Sequence, residues 1–159
     1  MKLVKVSSLF EVKYGVNLEL NKLILDDEGV NFVSRTANNN GVSAKVQLLP
    51  DVQPIEAGVL TVAGGGSVLE TFLQPAPFYS GRDLYFLRPR HAMTVEQKLF
   101  YCMCIRANKY RFNYGRQANR TLKDLMVPGM DQIPDWVEGL FDSVVDDWRT
   151  RLGSVADPA

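Results

Sequence analysis

The sequence holds little that enzymes use: one histidine and two cysteines in 159 residues. His91 follows Arg88-Pro89-Arg90 in an expected loop, with no Gly-x-Ser-x-Gly elbow and no His-Glu-x-x-His pair anywhere in the chain. Cys102 and Cys104 lie two apart in an expected helix, so they point to different faces and do not readily pair. With one distant histidine they make no zinc pattern, and they read as inert thiols. No apolar run approaches the roughly 20 residues that span a bilayer. The stretch Met1-Lys-Leu-Val-Lys-Val6 meets Ser7 too soon for a signal-peptide core. A cytoplasmic chain without membrane association is expected. Neither sign of charge is in excess, with 18 Lys and Arg against 18 Asp and Glu. That balance argues against indiscriminate binding to polyanions and shifts attention to where the charges lie.

What the sequence has in quantity is apolar surface. Hydrophobic residues make up 46%, including eight Phe, six Tyr and two Trp, enough for one domain with a real core. Period-two alternation and bounding turn residues mark short strands at Leu3–Val6, Glu11–Tyr14, Val30–Ser34, Val42–Leu49, Val59–Ala63, Val68–Leu73, Leu84–Leu87 and Leu125–Val127. A single helical turn, capped by Ser7 or Ser8, precedes Phe10. Asp26-Asp27-Glu28 beside Gly29 reads as a solvated acidic turn. Pro75 and Pro77 place the segment after them in a loop or on a sheet edge. Thr94-Val-Glu-Gln97 is a capping box opening a largely apolar helix that covers the sheet. Pro134 sits in the first turn of a last helix, Asp135–Leu152. Its Trp136, Val137, Leu140, Phe141, Val144, Val145, Trp148 and Leu152 form one stripe at helical spacing. The expected fold is α+β: a twisted, largely antiparallel sheet with a covering helix and a C-terminal amphipathic helix. The expected organisation is a domain over 1–130, the helix within 131–153 and a flexible tail over 154–159.

The charges are unevenly spread. Arg106, Lys109, Arg111, Arg116, Arg120 and Lys123 fall in one acid-free stretch, followed by Asp131, Asp135, Glu138, Asp142, Asp146 and Asp147. Two surfaces with different partners, or two segments that neutralise each other, both fit this pattern. Two polar loops carry residue types suited to nucleic acid. Arg35, Asn38, Asn39 and Asn40 include amides that pair bidentately with adenine and a guanidinium that pairs with guanine. Arg111-Phe-Asn-Tyr-Gly-Arg-Gln-Ala-Asn-Arg120 interleaves basic, amide and aromatic groups. There Arg111, Arg116 and Arg120 suit phosphates, and Asn113, Gln117 and Asn119 suit base edges. Asparagine also tolerates left-handed turns, which gives the first loop a purely conformational reading as well. Gly64-Gly-Gly-Ser67 lacks the lysine of a phosphate-binding loop. It reads as a tight turn or bulge that lets something approach the backbone closely.

The ordered segments resemble the target recognition domain of the specificity subunits of type I and type IIB restriction–modification enzymes. Phe10-Glu-Val-Lys-Tyr-Gly15 resembles the family's opening strand. Phe32-Val-Ser-Arg-Thr-Ala-Asn-Asn-Asn-Gly-Val42 resembles its strand and Asn-Asn-Gly turn. Gly58-Val-Leu-Thr-Val-Ala-Gly-Gly-Gly-Ser67 resembles the next strand and glycine turn. Phe72-Leu-Gln-Pro-Ala-Pro-Phe78, Leu84-Tyr-Phe-Leu-Arg-Pro89 and Arg120-Thr-Leu-Lys-Asp-Leu-Met-Val-Pro128 follow in the family order. The resemblance covers about residues 9 to 128. It implies sequence-specific binding of double-stranded DNA, without a catalytic site, on behalf of a partner subunit. That partner is expected to be an adenine-specific DNA methyltransferase, with or without a nuclease, and S-adenosylmethionine is expected on it. The chain itself has no Asn/Asp-Pro-Pro-aromatic motif and no glycine-rich cofactor loop, so no cofactor of its own is expected.

The DNA-binding candidates, from chemistry and loop position, are Lys13, Tyr14, Arg35, Asn38, Asn39, Asn40, Arg111, Asn113, Arg116, Gln117, Asn119 and Arg120. Trp136, Leu140, Phe141, Val144 and Trp148 are candidates for a partner or homodimer interface, although the same stripe suits packing on the domain's own core. The competing reading is a protein-interaction module that uses the last helix and does not touch DNA.

Overall fold

A computed structural model describes residues 1–112 and 118–156. Its strands are β1 (Leu3–Lys5), β2 (Phe10–Tyr14), β3 (Leu25–Val33), β4 (Val42–Val46), β5 (Leu60–Ala63), β6 (Thr71–Leu73), β7 (Phe78–Ser80), β8 (Leu84–Pro89) and β9 (Met126–Pro128). The helices are α1 (Val6–Leu9), α2 (Val95–Arg106) and α3 (Leu140–Ala156), with single 3-10 turns between them. The fold is α+β and largely antiparallel, but the strands divide into three sheets: β1-β9, β2-β8-β5-β6 and β4-β3-β7. Every strand pair is antiparallel except β3 with β7. β7 takes an edge, as the preceding prolines require.

Alternation along β8 explains the layering. Tyr85 and Leu87 face the core built with Phe10, Leu60, Val62 and the α2 residues Tyr101, Cys102 and Ile105. Leu84 and Phe86 face the other way, onto Val33, Val59 and Phe78. The four-stranded sheet is therefore covered by α2 on one side and by the three-stranded sheet on the other. The outer face of that second sheet buries Phe32, Val46 and Tyr79 under Leu18, Leu20, Leu23, Leu49 and Val52. Tyr79 fixes this cover with its hydroxyl, donating to Val52 O at 2.7 Å and accepting from Leu49 N–H at 3.0 Å. The capping box of α2 is present, with Thr94 Oγ1 accepting from Gln97 N–H and Gln97 Oε1 from Thr94 N–H.

Several boundaries differ from the sequence expectation. β3 begins at Leu25 and takes in Asp26-Asp27-Glu28, because a shift in its register with β4 between Leu25 and Val30 accommodates the acidic residues in the strand. β4 stops at Val46, where Gln47 N–H turns to Ile24 O and the chain leaves the ladder. The strand expected over Val68–Leu73 is only Thr71–Leu73. Leu69 takes φ 62° with its side chain fully buried, which prolongs the glycine turn. Neither serine caps α1: its N-cap is Lys5, and Ser8 Oγ donates back to Lys5 O at 2.6 Å.

The last helix differs most. Asp135–Val137 is a separate 3-10 turn, and Gly139 at φ 70° breaks the chain before α3 begins at Leu140. Val137, counted with the stripe from its spacing, is buried in the domain, whereas every described residue of α3 is exposed. α3 also runs to Ala156, one turn past its expected end.

Candidate functional site

The turn at Gly64–Gly66 gathers residues from four separate segments. Gly64 N–H donates to Asp83 O at 2.7 Å, and Gly64 O accepts from Ala118 N–H at 2.9 Å. A side chain at Gly64 would collide with Asn119 Oδ1, the Tyr85 ring and Asp83 O, so only glycine admits these neighbours. The close approach expected from the glycine run is thus made by the chain itself, from the segment that enters at Ala118. Ser67 N–H reaches Arg35 O at 3.4 Å and brings the end of β3 to the same place.

Aromatic and charged side chains surround this turn. Tyr14, at the end of β2, meets Tyr85 edge to face at 5.1 Å and accepts from Asp83 N–H at 2.7 Å through its hydroxyl. Tyr85 OH donates to Asn119 O at 3.3 Å. Burial first, then the neighbouring Tyr14 and Asp83, push the Tyr85 hydroxyl above the usual tyrosine value, so it stays a donor. The Asp83 carboxylate takes Arg35 Nη1 at 3.0 Å and Arg82 Nε at 3.4 Å on the same oxygen. Two shallow clefts flank the turn. One is lined by Tyr14, Asn17, Leu18, Glu19, Arg82 and Asp83. The other is lined by Val12, Tyr85, Asn119, Arg120, Leu122 and Lys123. Guanidinium, amide and aromatic groups on a rigid two-sheet platform form a surface able to hydrogen-bond phosphates and base edges.

The structure therefore brings Tyr14, Arg35, Asn119 and Arg120 together. Lys13 does not join them. Alternation along β2 sends it to the opposite face from Tyr14, where it pairs with Glu11 at 3.1 Å. The Lys13 ammonium, foremost, and Arg88 hold the Glu11 carboxyl below the usual carboxylate range. Asn38, Asn39 and Asn40 form an exposed turn moored to β6. Asn39 and Asn40 have φ of 48° and 56°. Their side-chain amides donate to Val42 O and Leu73 O, and the buried Gln74 donates to Asn40 O at 2.9 Å. One N–H of each amide thus serves the turn, in keeping with the conformational reading of this loop. Arg111 is exposed beyond α2 with its guanidinium over Tyr110. Asn113, Arg116 and Gln117 lie outside the described residues.

Arg82, Asp83 and Lys123 complete the patch and were not among the sequence candidates. The local signal was Gly81-Arg-Asp83 between two apolar strands, a turn whose aspartate sits at φ 53°. Of the interface candidates, Trp136 contacts Phe100 edge to face at 6.4 Å and lies over a groove with Leu99, Met103 and Val137. Leu140, Phe141, Val144 and Trp148 line α3, all exposed. Among the described residues, no three His, Cys, Asp or Glu side chains are placed to hold a metal ion, and no helix is long and apolar enough to cross a membrane.

No family model matches the chain. The chain is 25% identical over 135 residues to the specificity subunit S.BcgI of a type II restriction enzyme from Heyndrickxia coagulans, matching 82% of this chain. It spans 39% of that relative's length. Three solved structures share the fold. The type I restriction–modification S subunit from M. genitalium matches 98% of this chain with a TM-score of 0.62 and 15% identity. The HsdS subunit from Thermoanaerobacter tengcongensis matches 99% with a TM-score of 0.65 and 12% identity. A chain of a type I restriction–modification assembly matches 98% with a TM-score of 0.64 and 16% identity. This chain covers 42%, 40% and 42% of those three chains. The resemblance seen in the ordered sequence motifs thus extends to the fold, α3 included.

Proposed function

We propose that this chain binds double-stranded DNA in a sequence-dependent way, as the target recognition part of a restriction–modification specificity subunit. The observation that carries this reading is the gathering of Tyr14, Arg35, Arg82, Asn119, Arg120 and Lys123 around one glycine turn, on a fold shared with specificity subunits. Its role is recognition rather than catalysis. Methyl transfer, with S-adenosylmethionine, and any strand cleavage belong to partner subunits. α3 is the docking element in this reading: its exposed stripe of Leu140, Phe141, Val144 and Trp148 meets either a second copy of the chain or a helix of the methyltransferase.

The test is equilibrium binding of the full chain to duplex DNA across a salt series. Phosphate contacts release counterions, so affinity should fall steeply with salt, by about one unit of logarithmic slope per phosphate neutralised. A chain that binds no duplex at low salt, yet associates through α3, would favour the protein-interaction module instead.

A further inference from the structure

Arg82 is an exposed cation of the patch, at 72% for its side chain, and its ion-pair partner Asp83 sits in a mount that its neighbours over-determine. Asp83 occupies the left-handed region at φ 53°, where a non-glycine residue is strained. Three contacts keep it there: its N–H donates to Tyr14 OH, its C=O accepts from Gly64 N–H, and its carboxylate, only 15% exposed, takes Arg35 Nη1. The same carboxylate oxygen takes Arg82 Nε. Two guanidiniums on one carboxylate leave the cluster with a single net positive charge. Arg35 is the more enclosed of the pair and neutralises Asp83. Arg82 is tied only through Nε among the described residues, so its terminal Nη1 and Nη2 face outward as a fork.

We propose that Arg82 reads a guanine in the recognised DNA, with Asp83 as its positioning residue and Arg35 as the counter-charge that holds Asp83 in place. This rests on the DNA-binding reading above. A guanidinium paired through Nε keeps Nη1 and Nη2 as two parallel N–H donors. Guanine O6 and N7 in the major groove are the acceptor pair that such a fork matches. A lysine carries the same charge but no fork, so charge and geometry separate in the Arg82→Lys variant.

The test uses the full chain and two labelled probes: a duplex that the wild-type chain selects from a randomised pool, and the unselected pool. Arg82→Lys should weaken binding to the selected duplex on the order of tenfold or more while changing pool binding little. Reselection with the variant should lose one guanine preference. Asp83→Asn, which keeps the left-handed backbone accessible, should relax the same position. Asp83→Gly takes that backbone without strain and serves if the asparagine variant melts early. Equal losses on both probes would make Arg82 a phosphate contact and overturn the proposal, as would unchanged selectivity in Arg82→Lys. If Arg82→Lys relaxes a guanine position and neither Asp83 variant does, the positioning role falls. A wild-type chain that binds neither probe defeats the DNA reading itself, and this inference with it.

Discussion

The two longer described helices, α2 of 12 residues and α3 of 17, behave in opposite ways. α2 has apolar residues all round and sinks Tyr101, Cys102 and Ile105 completely into the core. α3 has the cleaner one-sided stripe, yet none of its described residues is buried and Trp148 is 54% exposed. A stripe at helical spacing states that a face needs covering. It does not state what covers it. For α2 the cover is the four-stranded sheet; for α3 the described residues offer a groove with Leu99, Phe100 and Met103 beside Leu140 and Phe141 at its first turn, and the rest of the stripe stands uncovered.

That contrast is most sharply broken or upheld by truncating one aromatic from each helix. Tyr101 is fully buried, stacks edge to face on Phe10 at 5.5 Å and donates to Pro128 O at 3.0 Å, tying α2 to β9. Tyr101→Ala should cost about 3–5 kcal/mol through cavity formation and the lost contact, read as a large drop in melting temperature or denaturant midpoint. Trp148→Ala should leave the melt of the monomer unchanged and weaken dimer or methyltransferase association by about 2 kcal/mol or more. Sedimentation beside thermal melts separates the two effects. A Trp148→Ala protein that melts as early as Tyr101→Ala would place the stripe in the domain's own core.

The next effect down is alkaline and belongs to α2 alone. Burial pushes the Cys102 thiol from 9.0 up to about 12, slightly offset by Arg106. A pKa raised on folding adds stability that is complete below the unfolded value and is lost as pH rises towards the folded one. Over the first pH unit above 9.0, the chain should lose about 1 kcal/mol from this group. Cys102→Ala, compared with wild type at both pH values, should remove that increment. An identical alkaline loss in the variant would assign it elsewhere, with Cys104, raised by burial from 9.0 to about 11, the first alternative.

The sequence made some of this legible and not the rest, for reasons visible in particular residues. Alternation and turn residues located every described strand but β7, and Thr94-Val-Glu-Gln97 marked the start of α2, because these are local signals. The split into three sheets was not legible, since it depends on which strands meet at long range, as in the parallel pairing of β7 with β3. Arg35, Tyr14, Asn119 and Arg120 were recognised by residue type, but nothing local joins them; the carbonyl and amide of Gly64 do. Lys13 shows the converse. It is one residue from Tyr14 in sequence, and the pleat of β2 puts it on the other face. Arg82 and Asp83 carry no such signal, because their meaning lies in the shared carboxylate oxygen, a contact that no spacing announces.

The smallest predicted effect tests what holds α3 together before it is covered. Beyond its first turn α3 stands exposed, and a lone helix of about this length is marginal in water, so its own side-chain pairs matter more than they would in α2. Pairs in α3 include Asp147 with Arg151 at 2.9 Å and Asp146 with Arg149 at 3.6 Å, and the Arg151 guanidinium also lies over the Trp148 ring at 5.8 Å. Exposed pairs one turn apart contribute about 0.3–0.5 kcal/mol. Arg151→Ala should therefore lower amide-exchange protection across 140–156 by roughly twofold and leave protection in 95–106 unchanged. The loss should diminish once a partner covers the stripe, because packing then supplies the stability that the pair supplied alone. Equal protection of wild type and variant in the free chain would show that α3 is already covered there, and would make the two helices alike after all.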